Sequence, residues 1–164
     1  MNFSEPHRAD MQWQWSSFSQ LSPHEVYAIL ALRQDVFVLE QQSLYRDIDG
    51  HDVQSDHLLG WQHDGTERVL AAYLRCVPPG ILYPQASLGR VMCARSARGL
   101  GLGRQVFSAG VLFADQQYPT QGLRISAQQY LESFYASFGF TTTSAPYQED
   151  GIWHITMQRP SAIG

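Results

Sequence analysis

The residue types with the clearest chemical potential lie in one stretch, Ser87-Leu88-Gly89-Arg90-Val91-Met92-Cys93-Ala94-Arg95-Ser96-Ala97-Arg98-Gly99-Leu100-Gly101-Leu102-Gly103-Arg104. An apolar run leads into glycines at 99, 101 and 103, and a helical pattern follows from about Gly103 to Tyr118. Strand, glycine turn and helix in that order leave the N–H groups of the first helical turn without intrahelical partners. The helix dipole adds partial positive charge at the same end, so the turn suits a phosphate. Positions without side chains let a bulky anion come close to the backbone. Two other phosphate loops are excluded. A Walker loop requires lysine, and this sequence has none. In a dinucleotide fingerprint the third glycine would fall on Arg104 or Val106, and nothing acidic follows near 120–125.

Other clusters carry weaker chemistry. Asp47-x-Asp49-Gly50 has the outline of a calcium loop, but its first ligand position falls on Tyr45. His51, Asp52 and His57 are metal-ligating types at irregular spacing, which favours structural hydrogen bonds, and no metal is expected. Cys76 and Cys93 both sit in apolar runs and read as buried free thiols.

The net charge of −4 argues against a nucleic-acid partner. Its distribution says more. No acid stands between Arg68 and Ala114, where Arg68, Arg75, Arg90, Arg95, Arg98 and Arg104 all fall. The preceding segment is acidic, with Asp35, Glu40, Asp47, Asp49, Asp52, Asp56, Asp64 and Glu67 against Arg46. One half reads as suited to a polyanion and the other to a cation, the alternative being solvated surface charge.

These residues need a scaffold. A chain of 164 residues with 44% hydrophobic content fits one domain with a real core. The expected organisation is a flexible tail over 1–10 and a single domain over 11–160. No secretory signal, lipidation motif or membrane-length apolar run is present, so the expected location is cytoplasmic, with no membrane partner. Met11 to Phe18 reads as a first strand. Ser22-Pro23-His24-Glu25 is a capping box with proline at the first helical position, and apolar spacing carries that helix to about Phe37. Arg33 on its inward face either marks an amphipathic edge or reaches an acid. A loop with at most one short helix follows to Asp56. His57–His63 and Arg68–Val77 read as a hairpin about Asp64-Gly65. Beyond the glycine turn and its helix come a strand over 122–127, a helix over 129–138 stopped by Gly139, and two last strands over 141–144 and 151–158.

A family resemblance enters on these motifs. Arg98-x-x-Gly101-x-Gly103 resembles the Arg/Gln-x-x-Gly-x-Gly/Ala signature of the GNAT N-acetyltransferases, whose loop holds the pyrophosphate of acetyl-CoA. Tyr135-Ala136-Ser137-Phe138-Gly139-Phe140 is similar to that family's Tyr-x-x-x-Gly-Phe. Gln128 stands where the family often has Asn. Further pieces resemble the ElaA-like branch: Arg33-x-x-Val36-Phe37-Val38-x-Glu40-Gln41, Asp49-Gly50-x-Asp52, His57-Leu58, Gly89-Arg90-Val91, Ala127-Gln128, and Glu149-Asp150-Gly151-Ile152-x-His154. The resemblance covers roughly residues 12–158. It implies an α+β (mixed α/β) GNAT fold: a mostly antiparallel sheet of 6–7 strands flanked by helices, its central strands 87–93 and 123–128 splayed to admit the cofactor.

The resemblance also implies roles. The pantetheine arm would pair with the backbone of Val91, Met92 and Cys93, with N–H near Val91 and Met92 donating to the thioester oxygen. The pyrophosphate would lie on Arg98, Gly99, Leu100, Gly101, Leu102, Gly103 and Arg104, with Gln128 and Tyr135 completing the cofactor site. Tyr135 would be the general acid for the leaving sulfur; on spacing alone it reads as a packed aromatic. Many family members use a Glu near the cofactor strand as base, and Leu88 to Val91 offer no carboxylate. His154 and Glu40 lead as candidates, with His57, Glu149 or a water chain behind them. The implied activity is acyl transfer from acetyl-CoA to a primary amine, a small molecule or peptide of cationic character, by a monomer or homodimer. The alternative is a GNAT-fold module that binds acyl-CoA without turnover.

Overall fold

The computed structural model describes residues 11–99 and 101–164; the tail expected over 1–10 and Leu100 of the glycine turn lie outside them. Four strands form one antiparallel sheet in chain order: β1 (Gln12–Ser17), β2 (Asp56–Asp64), β3 (Glu67–Val77) and β4 (Ser87–Cys93). A second sheet pairs β5 (Leu123–Gln128) with the last strand, β8 (Ile152–Arg159), and two short strands, β6 (Thr141–Thr142) and β7 (Tyr147–Glu149), lie along the other edge of β8. The sheets touch where β4 and β5 begin, through a parallel bridge between Ala86 and Leu123 and the bond from Arg124 N–H to Ala86 O at 3.0 Å. Past that point no ladder joins the two strands among the described residues. The splay expected of the central strands is present.

Eight strands stand among the described residues where six or seven were expected, because a further short strand, β7, follows the segment read as 141–144. Thr141 lies opposite Gln158, and Tyr147 resumes opposite His154. Between them Ser144 Oγ accepts from Thr156 N–H at 2.9 Å, and Pro146 has no N–H to give a ladder.

Helices cover the first sheet on both faces. α1 (Pro23–Arg33) starts at the capping box, with Glu25 N–H on Ser22 Oγ at 3.2 Å and Ser22 N–H on Glu25 Oε2 at 2.8 Å. It does not stop at Phe37 but widens into a π-helical segment, Gln34–Glu40, that keeps Val36 and Phe37 buried. These residues pack on Leu59, Tyr73 and Met92. α2 (Leu102–Gln117) packs Leu102, Val106, Phe107 and Val111 on Leu58, Leu74 and Leu88 from the other side. Leu74 and Tyr73 are successive residues of β3 and so serve opposite cores. Both faces being covered, Ala71 to Val77 is buried without interruption.

A lattice of buried charge ties α1, the 41–51 loop, β3 and β4 together. Arg33, fully buried, reaches inward: its Nε lies 2.8 Å from Asp47 Oδ2 and one terminal nitrogen 2.7 Å from Asp52 Oδ1. Arg75, also buried, binds Asp49 and Asp52 at 2.7 and 2.9 Å. Arg90 binds Asp47 at 2.8 Å and Asp49 at 3.3 Å. Below it, the Nε2–H of His57 donates to Asp52 O at 2.8 Å, since a carbonyl only accepts, leaving Nδ1 to take the Tyr73 hydroxyl at 2.6 Å. Both ring nitrogens of His57 are thus engaged, and among the described residues no group of three His, Cys, Asp or Glu is arranged to hold a metal ion. Cys76 and Cys93 are free, the first buried and the second half-buried.

Removing one member of this lattice leaves buried charge unpaired. Arg33→Leu is expected to cost about 3 to 5 kcal/mol of unfolding free energy, read by urea denaturation at pH 7. The pH dependence follows from the same groups. Burial raises the carboxyls of Asp49 and Asp52, but the arginine bonds outweigh it, and both titrate below the usual carboxylate range. Their contribution is complete above the unfolded value of about 3.9 and is lost as pH falls through the folded values. Burial also drives His57 below its ordinary value, so an earlier loss begins under about pH 6.5. Urea midpoints should fall in two stages on acidification. The first stage should vanish in His57→Gln, whose amide still accepts from Tyr73 and donates to Asp52.

Candidate active site

The parted strands enclose a cleft of about 480 Å³. Gly89, Arg90 and Val91 of β4 form one wall; Ile125, Ser126 and Gln128 of β5, Tyr135, Glu149 and His154 form the facing one. Antiparallel pairing sets which backbone groups of β4 open into it. Ala94 N–H bonds back to Ala71 O at 2.7 Å, and Met92 opposes Tyr73 in the same register. Alternation therefore turns the N–H of Val91 away from β3. Between Tyr73 and Arg75 the register slips by one, so Arg90 and Val91 together oppose Leu74 in a β-bulge. Of the two donors expected at the thioester, Val91 N–H faces the opening. Met92 turns its N–H to β3, and its side chain is buried toward α1.

At the end of β4 the chain makes one 3₁₀ turn, Arg95–Ala97, and enters the glycine segment. Gly99 and Gly101 take φ of +86° and +70°, values that disfavour any residue with a Cβ. Gly101 caps α2 without a side chain, and the first turn of α2 holds no acid. Its N–H groups and dipole are therefore left for a ligand. Gly103 is different. Its backbone is helical and a Cβ there would meet nothing within 4 Å, so the protein's own packing does not demand glycine. Leu102 buries its side chain and can offer a ligand only backbone. Two arginines brace the turn. Arg98 donates to Cys93 O at 3.1 Å and pairs with Glu40 at 2.7 Å. Arg104 donates to Ser137 Oγ at 2.7 Å and lies 4.8 Å over the Phe138 ring, joining the turn to α3 (Glu132–Ala136).

α3 carries Tyr135. Its ring packs edge-on against Phe107 and Phe134, with centroids 5.0 and 5.2 Å away, so packed aromatic and cleft residue are both true of it. Burial, with a smaller effect from Tyr130, pushes its hydroxyl up to about 12. It is a proton donor throughout the neutral range.

On the opposite strand, His154 lies across from both Gln128 and Tyr147. Its Nδ1–H donates to Ile152 O at 2.8 Å, which fixes the tautomer and leaves the Nε2 lone pair free to accept a proton. Glu149 Oε2 stands 3.7 Å from that nitrogen and accepts from Ser126 Oγ at 3.1 Å. A histidine held this way can take a proton, with a carboxylate beside it to stabilise the charged form.

Of the four side chains considered as bases, the structure brings His154 and Glu149 into the cleft with Tyr135. Glu40 is instead at the glycine turn, paired with Arg98, and His57 is buried between Tyr73 and Asp52. The acidic segment also differs from its sequence reading. Asp47, Asp49 and Asp52 are matched by Arg33, Arg75 and Arg90, so their charge is neutralised inside the fold and offers a cation little. Sequence reasoning left Arg33 open between an amphipathic edge and a partner acid, and missed the rest of this lattice, of which Arg75 inside an apolar strand was the signal. The acids at the mouth of the cleft besides Asp49 are Glu149 and Asp150.

Comparison with known proteins agrees with this geometry. The model of the acetyltransferase (GNAT) domain matches residues 32–160. A UPF0039 protein of Synechocystis is 44% identical over 148 residues, 90% of this chain and 94% of the relative. The protein ElaA of Escherichia coli is 38% identical over 151 residues, 91% of this chain and 96% of ElaA. The crystal structure of E. coli ElaA superposes with a TM-score of 0.83 over 92% of this chain and 99% of that one. An acyl-CoA N-acyltransferase from Pseudomonas aeruginosa, 36% identical, does so with 0.85 over the same shares. A family model spanning most of the sequence, and relatives this similar over nearly their whole lengths, agree: the chain belongs to the GNAT acetyltransferase family.

Proposed function

We propose that the protein transfers an acetyl group from acetyl-CoA directly to a primary amine held at the Glu149–His154 end of the cleft. The observation that carries this reading is the opening of β4 away from β5 between a glycine-capped helix end and a wall bearing Tyr135 and His154. The substrate fits the parts. A diphosphate suits the N–H groups at Gly101 to Gly103, where the space a Cβ would take is open. A pantetheine chain, rich in amides, suits the unpaired edge of β4.

The chemistry then assigns itself by position. The neutral amine attacks the thioester carbonyl carbon, and the oxygen takes up negative charge against Val91 N–H. His154 Nε2 accepts the proton the nitrogen sheds, with Glu149 holding the resulting imidazolium. The carbon–sulfur bond breaks, and the Tyr135 hydroxyl gives its proton to the departing thiolate. Products are an amide and free CoA. Arg98, Glu40 and Arg104 shape the diphosphate turn on this reading, and Gln128 completes the cofactor wall. The acceptor's cationic character, expected from the acidic segment, rests now on Glu149 and Asp150 rather than on the three neutralised aspartates. The reading places the reaction in the cytoplasm, with no membrane partner; among the described residues no helix is long and apolar enough to cross a membrane.

Incubating the protein with acetyl-CoA and an amine panel, read by mass spectrometry and thiol release, tests the activity. Acetylated product from cationic amines supports the reading; CoA binding without turnover would make the chain a binding module instead. Tyr135→Phe should lower kcat by about 100-fold or more while CoA affinity, read by calorimetry, stays near wild type. His154→Gln should remove the acid limb of the pH–rate profile. If that limb persists in His154→Gln and disappears in Glu149→Gln, the base is the carboxylate.

A further inference from the structure

Arg90 occupies a conformation that its sequence neighbour would adopt more cheaply. Its φ is +52°, in the left-handed region, in the interior of β4. A side chain there costs roughly 1–2 kcal/mol. The adjacent Gly89 has no positive φ, and a Cβ at Gly89 would meet nothing within 4 Å. Glycine thus stands beside the position that would benefit from it, and arginine stands on it. Strain of this kind persists only where surrounding contacts over-determine it.

Those contacts are all on the guanidinium. Its Nε donates to Asp47 Oδ1 at 2.8 Å, and one terminal nitrogen donates to Asp47 O at 3.0 Å and Asp49 Oδ2 at 3.3 Å. Its carbon lies 5.4 Å over the Tyr45 ring. Asp47 cannot yield, because the fully buried Arg33 grips its other oxygen at 2.8 Å and its carbonyl at 2.7 Å. The anchor runs from the helix core through one aspartate to the bulge.

We infer that Arg90 is a positioning residue for acyl transfer: the Asp47 clamp on its guanidinium holds the bulge that turns Val91 N–H into the cleft. This rests on the proposed role of that N–H as donor to the thioester oxygen. Without the clamp, β4 relaxes toward a regular strand in the Gly89–Arg75 register; Val91 then falls opposite Tyr73, in the place of Met92, and turns its N–H to β3. The side chain acts through the backbone and need not touch substrate.

Two substitutions separate this from a contact role. Arg90→Ala and Arg90→Gly both lack the guanidinium, but only glycine accepts the positive φ without cost. The readout is the carbonyl stretch of bound acetyl-CoA labelled with carbon-13 at the carbonyl, alongside calorimetric acetyl-CoA affinity and thermal melting; none requires knowledge of the acceptor. Wild-type protein should lower the carbonyl frequency relative to the free thioester. Arg90→Ala should lose most of that shift with affinity within about twofold, and Arg90→Gly should keep more of it than Arg90→Ala. Equal shifts in the two variants, or a wild-type shift in Arg90→Ala, would overturn the inference. Acetyl-CoA that binds wild-type protein without any lowering of the carbonyl frequency overturns the donor role of Val91, and absence of binding overturns the acyl-CoA reading itself; either removes this inference with it.

Discussion

A sheet that opens along its middle exposes two rows of backbone N–H and C=O groups that every other interior strand satisfies with a neighbour. β4 and β5 meet at Ala86 and Leu123 and then part, so the far edge of β4 must find partners elsewhere. Such an edge is ordinarily a liability, a template for another strand. Here it lies at the wall of a cleft, facing the β5–β8 pair. An extended chain of amides can satisfy it without a third strand, and the family to which the chain belongs uses acyl-CoA. On the proposed reading the glycine turn answers the same constraint: a phosphate at the end of that chain would find a helix terminus beyond the end of β4, where α2 begins at Leu102, nine residues after Cys93.

Opening the sheet also removes the packing that would hold β4 in place. The arginine–aspartate lattice replaces it. Three arginines from α1, β3 and β4 converge on Asp47 and Asp49 of the 41–51 loop and on Asp52, which opens the 3₁₀ turn after it. Charge pairs this deep gain little net stability compared with apolar side chains, because both partners lose hydration. What they supply is geometry: each guanidinium bond has a direction, and the segment is fixed through five of the six oxygens of its three carboxylates rather than by a ladder. The π-helical widening after Arg33 belongs to the same joint, keeping Val36 and Phe37 in the core while Glu40 reaches Arg98.

Local chemistry was legible in the sequence, and long-range pairing was not. The capping box at Ser22 and Glu25, the Asp64-Gly65 hairpin and the glycine turn each depend on residues a few positions apart, and each appears where its spacing places it. The helix on which Tyr135 sits is legible for the same reason. β7 was not, because a three-residue strand after Pro146 has no periodicity to show. The charge pattern misled for a deeper reason. Eight acids in one segment and six arginines in the next look like two surfaces, and composition cannot say that the fold brings them face to face. Arg33 shows the ambiguity at one residue: on a helix face its position fits an edge or an anchor equally, and only Asp47 and Asp52, 14 and 19 residues on, decide it.

The two walls of the cleft consequently differ in kind. On the β3–β4 side, arginine and aspartate cancel and are held by bonds on several atoms, so that wall is set before any ligand arrives. On the β5–β8 side, Ser126, Tyr147, Glu149 and His154 form a smaller network nearer the surface, with the Glu149 side chain 53% exposed. A rigid wall suits a part of the reaction that is the same for every acceptor, the polarised thioester. A solvated, acidic and adjustable wall suits the part that varies. Acceptor preference on the proposed reading therefore belongs to β7 and the Glu149–Gly151 turn. Substitutions there should change which amine is chosen without disturbing the strand that presents the acyl group.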